Sequence, residues 1–503
     1  MRFSSFSVAA ISVLVIASSY SGPASGRSSS GATDAHVDTT TTPRRPAGPA
    51  ADVSDEITGG NGAFVGESTP PDLKTVGYVE HEFVAAGTAT DYQATGELTP
   101  DGRWTFEPDT SAAYRTRILV RRPAKAADFS GTVVVEWMNV SGGVDANPDY
   151  ANLSEEITRH GDAWVGVTAQ LIGVNGGPVL VTTPGNEGVQ GKGLKALDPA
   201  RYGSLEHPGD GYSFDIYTQV ARALRKRGAA LGGRKAKQVL AAGESQSAVA
   251  LTTYYNGVQP LTQAFDGFFV HSRAFATLPL VAPGEYADLA GSIGTSTTAI
   301  FRTDLDAPVL ELQVEGDVTG VLNSAAARQS DTDRFRLWEV AGNSHADVRL
   351  IGEELNDLLD CGAPINNGPM HFVAKAAFRA LDTWVRTGQA PPKAPRLELT
   401  DEDPPQIRRD ADGIAVGGIR TPLVDVPVDV LSGASPPNPD LICMLLGSTT
   451  PLSAERLAEL YPSRAAYTRR YNAAVDKAIE AGFVLEADRK ALLAYAEPKR
   501  VKG

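Results

Sequence analysis

The chain has 503 residues, of which 42% are hydrophobic and 21% charged, with a formal net charge of −14. That is ample material for a large core and the composition of an ordinary soluble globular protein. It argues against nucleic acid or an anionic membrane surface as a partner, since both need clustered lysine and arginine and no basic run is longer than Arg225-Lys226-Arg227.

At the amino terminus Arg2 precedes an apolar run over 8–17 and small residues around 24–26, the order of a secretory signal peptide spanning 1–26. The run is too short for a bilayer, which takes about 20 residues. No later segment is a transmembrane candidate, so no membrane insertion is expected once the signal is removed. Residues 27–56 are mostly Ser, Thr, Ala and Pro without apolar periodicity, and read as a disordered lead-in.

Short strands are predicted over 78–84, 103–106 and 114–120. The near-continuous apolar run GTVVVEWM, 131–138, reads as a strand with both faces covered, followed by a helix over 150–159 and a buried strand AWVGVT, 163–168. Residues 171–212 are Gly-rich with no clear element, a length that in a compact domain marks a functional loop. An amphipathic helix over 212–227 carries Ile216, Val220 and Leu224 four residues apart.

The stretch VLAAGESQSAVALTTYYN, 239–256, then reads as strand, sharp turn and helix. Such a turn strains the backbone of its central serine, here Ser245, and demands small residues two before and two after. Gly243 and Ser247 fill those places, although the common pattern G-x-S-x-G has Gly in the last. Further strands follow at 268–270, PVLELQV (308–314) and FRLWEV (335–340), with 271–306 interrupting the alternation as a possible cap insertion. A helix over 372–385 ends at Gly388 and Pro391.

This β-α-β-α succession predicts an α/β fold with a mostly parallel, doubly wound sheet. The main domain spans 57–394. Residues 395–503 change pattern to short strands and turns, then a helix capped by Ser463 with Tyr467, Tyr471, Val475 and Ile479 at four-residue spacing, and read as an extension packed on the main domain. The lone pair Cys361 and Cys443 in an exported chain predicts one disulfide, the alternative being two buried thiols.

A serine hydroxyl needs a base, and the base an orienting acid. Of the seven histidines, His345 sits just past a predicted strand in a small-residue turn, Ala341-Gly342-Asn343-Ser344-His345. The acid is expected after the preceding strand, in Val314-Glu315-Gly316-Asp317, where Asp317 is preferred for its place at the end of the turn and Glu315 is the alternative. For a tetrahedral oxyanion, one donor is expected from the backbone of Gln246 and a second from Val140 or Ser141, in the loop Asn139-Val140-Ser141-Gly142-Gly143. Other motifs fail: GNEGVQGKG, 185–193, lacks the Ser or Thr after Lys192 that a phosphate loop needs, and neither C-x-x-C nor H-E-x-x-H is present for a metal. No cofactor is expected.

The motifs VEWMNVSGG, GESQSA, LELQVEGDV, EVAGNSHAD, GGIRTPLVDVP and LYPSRAAYTRRY resemble the α/β-hydrolase superfamily and, more narrowly, a bacterial family named simply for its α/β-hydrolase domain. The resemblance covers most of the mature chain. It implies an α/β-hydrolase fold and a secreted carboxylic-ester hydrolase, with Ser245 as nucleophile, His345 as base and a small-molecule ester as partner. An amidase, peptidase or acyltransferase on the same machinery is the alternative within the enzymes, and a binding protein with a vestigial site the alternative outside them. Oligomeric state is not legible.

Overall fold

The computed structural model describes residues 45–68, 71–291, 298–436, 438 and 440–502. The predicted signal peptide and the lead-in up to residue 44 lie outside the described residues. Where the lead-in is described, it departs from expectation: Asp52 and Glu56 bridge Ala86 and Phe83, and Ala51 is buried. A chain without apolar periodicity is held there by main-chain bonds such as Asp52 N–H to Ala86 O at 2.8 Å, by Glu56 against His81 at 2.6 Å and Asp55 against Arg115 at 3.2 Å, and by Ala51 in the core.

Eight strands form one sheet in the order β1-β2-β4-β3-β5-β6-β7-β8. The first pair, β1 (Tyr78–Ala94) and β2 (Phe106–Pro123), is a long antiparallel hairpin, and β2 also runs antiparallel to β4 (Ala163–Val167). The remaining neighbours are parallel: β3 (Thr132–Trp137), β5 (Gln238–Glu244), β6 (Gly267–His271), β7 (Val309–Val314) and β8 (Phe335–Val340). Parallel strands buried on both faces alternate their side chains between two cores. In β3, Val133 and Val135 join the core that holds Ile216 and Val220, whereas Val134 joins the opposite core with Leu153, Phe378 and Leu381. In β5, Val239 and Ala241 face the first core and Leu240 and Ala242 the second.

The helices that cover these faces are α1 (Pro148–His160), α2 (Leu171–Asn175), α3 (Ser213–Leu224), α4 (Gln246–Thr253) and α5 (Met370–Thr387). The long segment 171–212 is not structureless as expected. It contains α2 and the short helices Gly193–Leu197 and Pro199–Tyr202, each too brief to leave an amphipathic period in sequence. Among the described residues no helix is long and apolar enough to cross a membrane.

Arg45–Gly503 forms one compact unit, the carboxyl-terminal segment included. That segment extends the sheet edge, with Ile419 bridged to Val340. It also buries the final long helix, α6 (Arg464–Glu480), capped by the Ser463 hydroxyl accepting from Ala466 N–H at 3.2 Å. Cys361 and Cys443 are joined by a disulfide across 82 residues of chain. On the chain-entropy account a loop of that length is worth about 4–5 kcal/mol. Replacing both cysteines by serine is expected to lower the unfolding free energy in urea by most of that amount, and a loss below about 1 kcal/mol would show that the crosslink adds little.

Candidate active site

Strand β5 delivers Ser245 at the sheet's carboxyl edge, with φ 60° and ψ −118°, immediately before α4. A non-glycine residue at positive φ is strained by roughly 1–3 kcal/mol and persists only where its surroundings enforce it. Here Ser245 N–H donates to His271 O at 2.9 Å, and Ser245 O accepts from Val249 N–H at 3.1 Å. A Cβ on Gly243 would meet the Ser247 backbone and Cβ at 3.0 Å, so strand and helix close to van der Waals contact only because position 243 has no side chain. Ser247 in the last slot is small enough to be wholly buried.

His345 arrives on the loop after β8, with Nε2 2.9 Å from Ser245 Oγ and Nδ1 2.7 Å from Asp317 Oδ1. Asp317 is fully buried and its second oxygen accepts from Val314 N–H at 2.8 Å, which fixes the carboxylate. Glu315 turns the other way. Its oxygens accept from Gly342 N–H at 2.8 Å, Gly433 N–H at 3.0 Å and Arg409 Nη2 at 2.5 Å. It therefore braces the loop carrying His345 against the carboxyl-terminal extension, and Asp317 alone of the two carboxylates touches the imidazole.

Gln246 opens α4, so its N–H is among the donors that a helix start leaves without an intrahelical partner. The other two expected donors separate. Ser141 N–H is bound within its own loop by Asn139 Oδ1 at 2.8 Å, whereas Val140 N–H meets the Gln246 side-chain Oε1 at a longer 3.3 Å. Asn139 Nδ2 donates to Glu244 O at 3.0 Å, which ties this loop to the serine turn. Trp137 and Glu136 serve packing: Trp137 packs at a tilt against Phe214 and Tyr217, and Glu136 accepts from the first N–H groups of α1, Asp149 and Tyr150, both at 3.0 Å.

Ser245 and His345 open into a cavity of about 240 Å³, bounded also by Asn139, Glu244, Leu350 and Leu445. Beneath it lies a cluster that the sequence did not reveal. Buried His271 places Nδ1 2.9 Å from Asp149 Oδ1 and 3.3 Å from Glu244 Oε2, and the ligating atoms of all three lie within 4.8 Å of one another. Among the described residues this is the group whose donor set can hold a metal ion. The signal was the pairing of Glu244 with His271 in register across β5 and β6, which no single-sequence periodicity contains.

Burial opposes charge on the His271 imidazole, but the facing Glu244 and Asp149 carboxylates outweigh it and hold its pKa up to about 10. A folded-state pKa above the ordinary value of about 6.5 gives stability that is fully present below that value and is lost as pH rises through about 10. The melting temperature is thus expected to fall between pH 8 and 10.5, and His271→Gln to flatten that slope. An unchanged slope in the variant would contradict this assignment.

A doubly wound sheet with a strained serine at the tip of β5 and a histidine after β8 defines an α/β hydrolase. The alpha/beta hydrolase domain family matches residues 47–494, and the chain belongs to that family. Solved structures that are similar include a putative dienelactone hydrolase from Klebsiella pneumoniae subsp. pneumoniae MGH 78578, at 14% identity and TM-score 0.29, covering 60% of this chain and 99% of that one. A fungal esterase from Rhizomucor miehei matches at 12% identity and TM-score 0.31, covering 64% of this chain and 94% of its own. A thermostable esterase from Pseudomonas putida ECU1011 matches at 12% identity and TM-score 0.25, covering 54% and 75%. None of the curated proteins matches significantly.

Proposed function

We propose that this protein is an exported serine esterase that cleaves small carboxylic esters through an acyl-enzyme. The observation that carries the reading is the hydrogen-bonded chain from Ser245 Oγ through His345 to Asp317, at 2.9 and 2.7 Å. These distances lie within the range a nucleophile, its base and the orienting acid require.

In this reading Ser245 Oγ attacks the ester carbonyl carbon while His345 Nε2 takes the hydroxyl proton. Asp317 fixes the tautomer that leaves Nε2 free to accept, and stabilises the imidazolium that results. The oxyanion is held by Gln246 N–H and by Val140 N–H once the Gln246 carboxamide yields that donor; one such bond is worth about 3–4 kcal/mol. Collapse breaks the bond to the alcohol, which leaves with the proton from His345. Water, deprotonated by the same imidazole, then attacks the acyl-serine and releases the acid. Export draws support from the amino-terminal pattern and from the Cys361–Cys443 bridge, since disulfides persist in oxidising compartments.

The test is a matched pair of substrates with the same acyl group, a p-nitrophenyl ester and a p-nitroanilide. An esterase hydrolyses the ester faster by at least 10²-fold, and equal or faster cleavage of the anilide would make the protein an amidase instead.

A further inference from the structure

The carboxyl-terminal extension contributes a short helix, Leu441–Leu446, whose sequence LICMLL has no polar face, yet only Cys443 and Leu446 in it are buried. Those two stand one turn apart and pack inward with Cys361 and Ile365. Ile442 and Leu445, also one turn apart, are half-buried and form, with Leu350, an apolar wall of the cavity that contains Ser245 and His345. Apolar side chains left uncovered around a few polar groups are what an apolar ligand requires of its site.

This wall is fixed to the reacting atoms. Leu445 O accepts from the N–H of Ala346, the residue after His345, at 3.1 Å, and Leu446 O accepts from Asn366 N–H at 3.1 Å. The Cys361–Cys443 bridge fastens the helix from behind. Just past the helix a Cβ on Gly447 would stand 2.9 Å from Ser344 Cβ, so the chain leaves it directly against the histidine loop. The contacts that place the base therefore place the wall as well.

Charge narrows the ligand further. Among the described residues, the charged side chains that bound the cavity beside His345 are the carboxylates Glu67 and Glu244. Glu67 is held from behind by Arg121, Nη1 and Nη2 at 3.0 and 2.9 Å, and Glu244 faces buried His271. With no lysine or arginine on the cavity wall, a substrate carboxylate there would lose water without gaining a partner. The leaving oxygen must take its proton from His345, so the alcohol lies on the His345 side, against the helix. Resting on the esterase reading above, we infer that the carboxyl-terminal extension sets the alcohol specificity through Ile442 and Leu445, and that the substrates are esters of uncharged, apolar alcohols.

The experiment measures kcat/KM for dissolved acetate esters of straight-chain alcohols from methyl to hexyl, a series that holds the acyl group constant and hardly changes the basicity of the leaving oxygen. Because kcat/KM covers the steps up to release of the alcohol, it senses this wall. In the wild-type protein each methylene raises it roughly two- to fourfold, and 6-acetoxyhexanoate, with a carboxylate at the chain end, falls about 100-fold or more below hexyl acetate. Ile442→Asp and Leu445→Asp lower the hexyl-to-methyl ratio by about tenfold or more. Met444→Asp, half-buried on the same helix but outside the cavity, leaves the ratio within about twofold. A ratio cancels any loss common to both esters, such as a displaced His345, and Ile442→Ala, which adds no charge, lowers it about threefold if the aspartate variants fail to fold. A ratio unchanged in the Ile442 and Leu445 variants overturns the assignment, as does equal cleavage of the carboxylate ester. A rate that jumps only when hexyl acetate passes its solubility limit, and loses that jump in Ile442→Asp, also overturns it and makes the helix a contact for a lipid surface. If wild type cleaves no ester at all, the esterase reading falls and takes this inference with it; ester cleavage with a flat alcohol profile removes the inference alone.

Discussion

Ser245→Ala is expected to lower kcat by on the order of 10⁵–10⁶-fold, because a nucleophile and its base act as one unit and loss of either removes nearly all of what they supply. The loss should come without unfolding. Ser245 Oγ makes its bond to His345 in a cavity and not in either core, so truncating it empties no packed space. A second substitution separates chemistry from stability. Ser245→Gly removes the same hydroxyl but also the Cβ that is strained at φ 60°, so it should be as inactive as the alanine variant and no less stable than wild type. The strain it relieves is roughly 1–3 kcal/mol, partly offset by the greater freedom of glycine in the unfolded chain. A glycine variant that is clearly less stable than wild type would mean that the surroundings do not enforce the turn.

Asp317→Asn should cost about 10³–10⁴-fold in kcat with little change in KM. An amide in place of the carboxylate still bonds His345 Nδ1, but it can present its NH₂ to the ring, favour the wrong tautomer and leave the imidazolium without a counter-charge. Glu315→Gln offers the contrast two residues away. Its carboxylate binds Arg409, Gly433 and Gly342, which join the His345 loop to the extension. Removing that charge is expected to destabilise by about 1–3 kcal/mol through weaker charge-assisted bonds, with kcat within about tenfold of wild type. A larger loss of kcat in Glu315→Gln than in Asp317→Asn would reverse the roles given to the two carboxylates.

The parallel strands were legible because they are buried on both faces and therefore read as unbroken apolar runs, GTVVVEWM and AWVGVT among them. The serine turn was legible for a related reason, since close approach of β5 and α4 admits only small residues at 243 and 247. Legibility ended where structure depends on distant partners. Residues 107–111 of β2, Glu-Pro-Asp-Thr-Ser, are exposed and carry no apolar alternation, and only pairing with β1 makes them strand, so the sequence breaks that strand into two pieces. The bracing role of Glu315 needs residues 409 to 433, which lie about a hundred positions further on. The buried Asp149–Glu244–His271 group exists because a helix start and two strand ends converge at one sheet edge, a convergence set by register and not by local pattern. The position of the loop 139–143 after β3 is legible in the apolar run before it, but which of its N–H groups is engaged by a neighbouring side chain depends on how Asn139 and Gln246 fold over it.

The most direct test of the account is reaction of the purified protein with a fluorophosphonate, read by intact mass and peptide mapping. One adduct on Ser245, absent in Ser245→Ala and formed far more slowly in His345→Gln, is the predicted result. An unlabelled wild-type protein, or an adduct that persists at another residue when Ser245 is replaced, would contradict it.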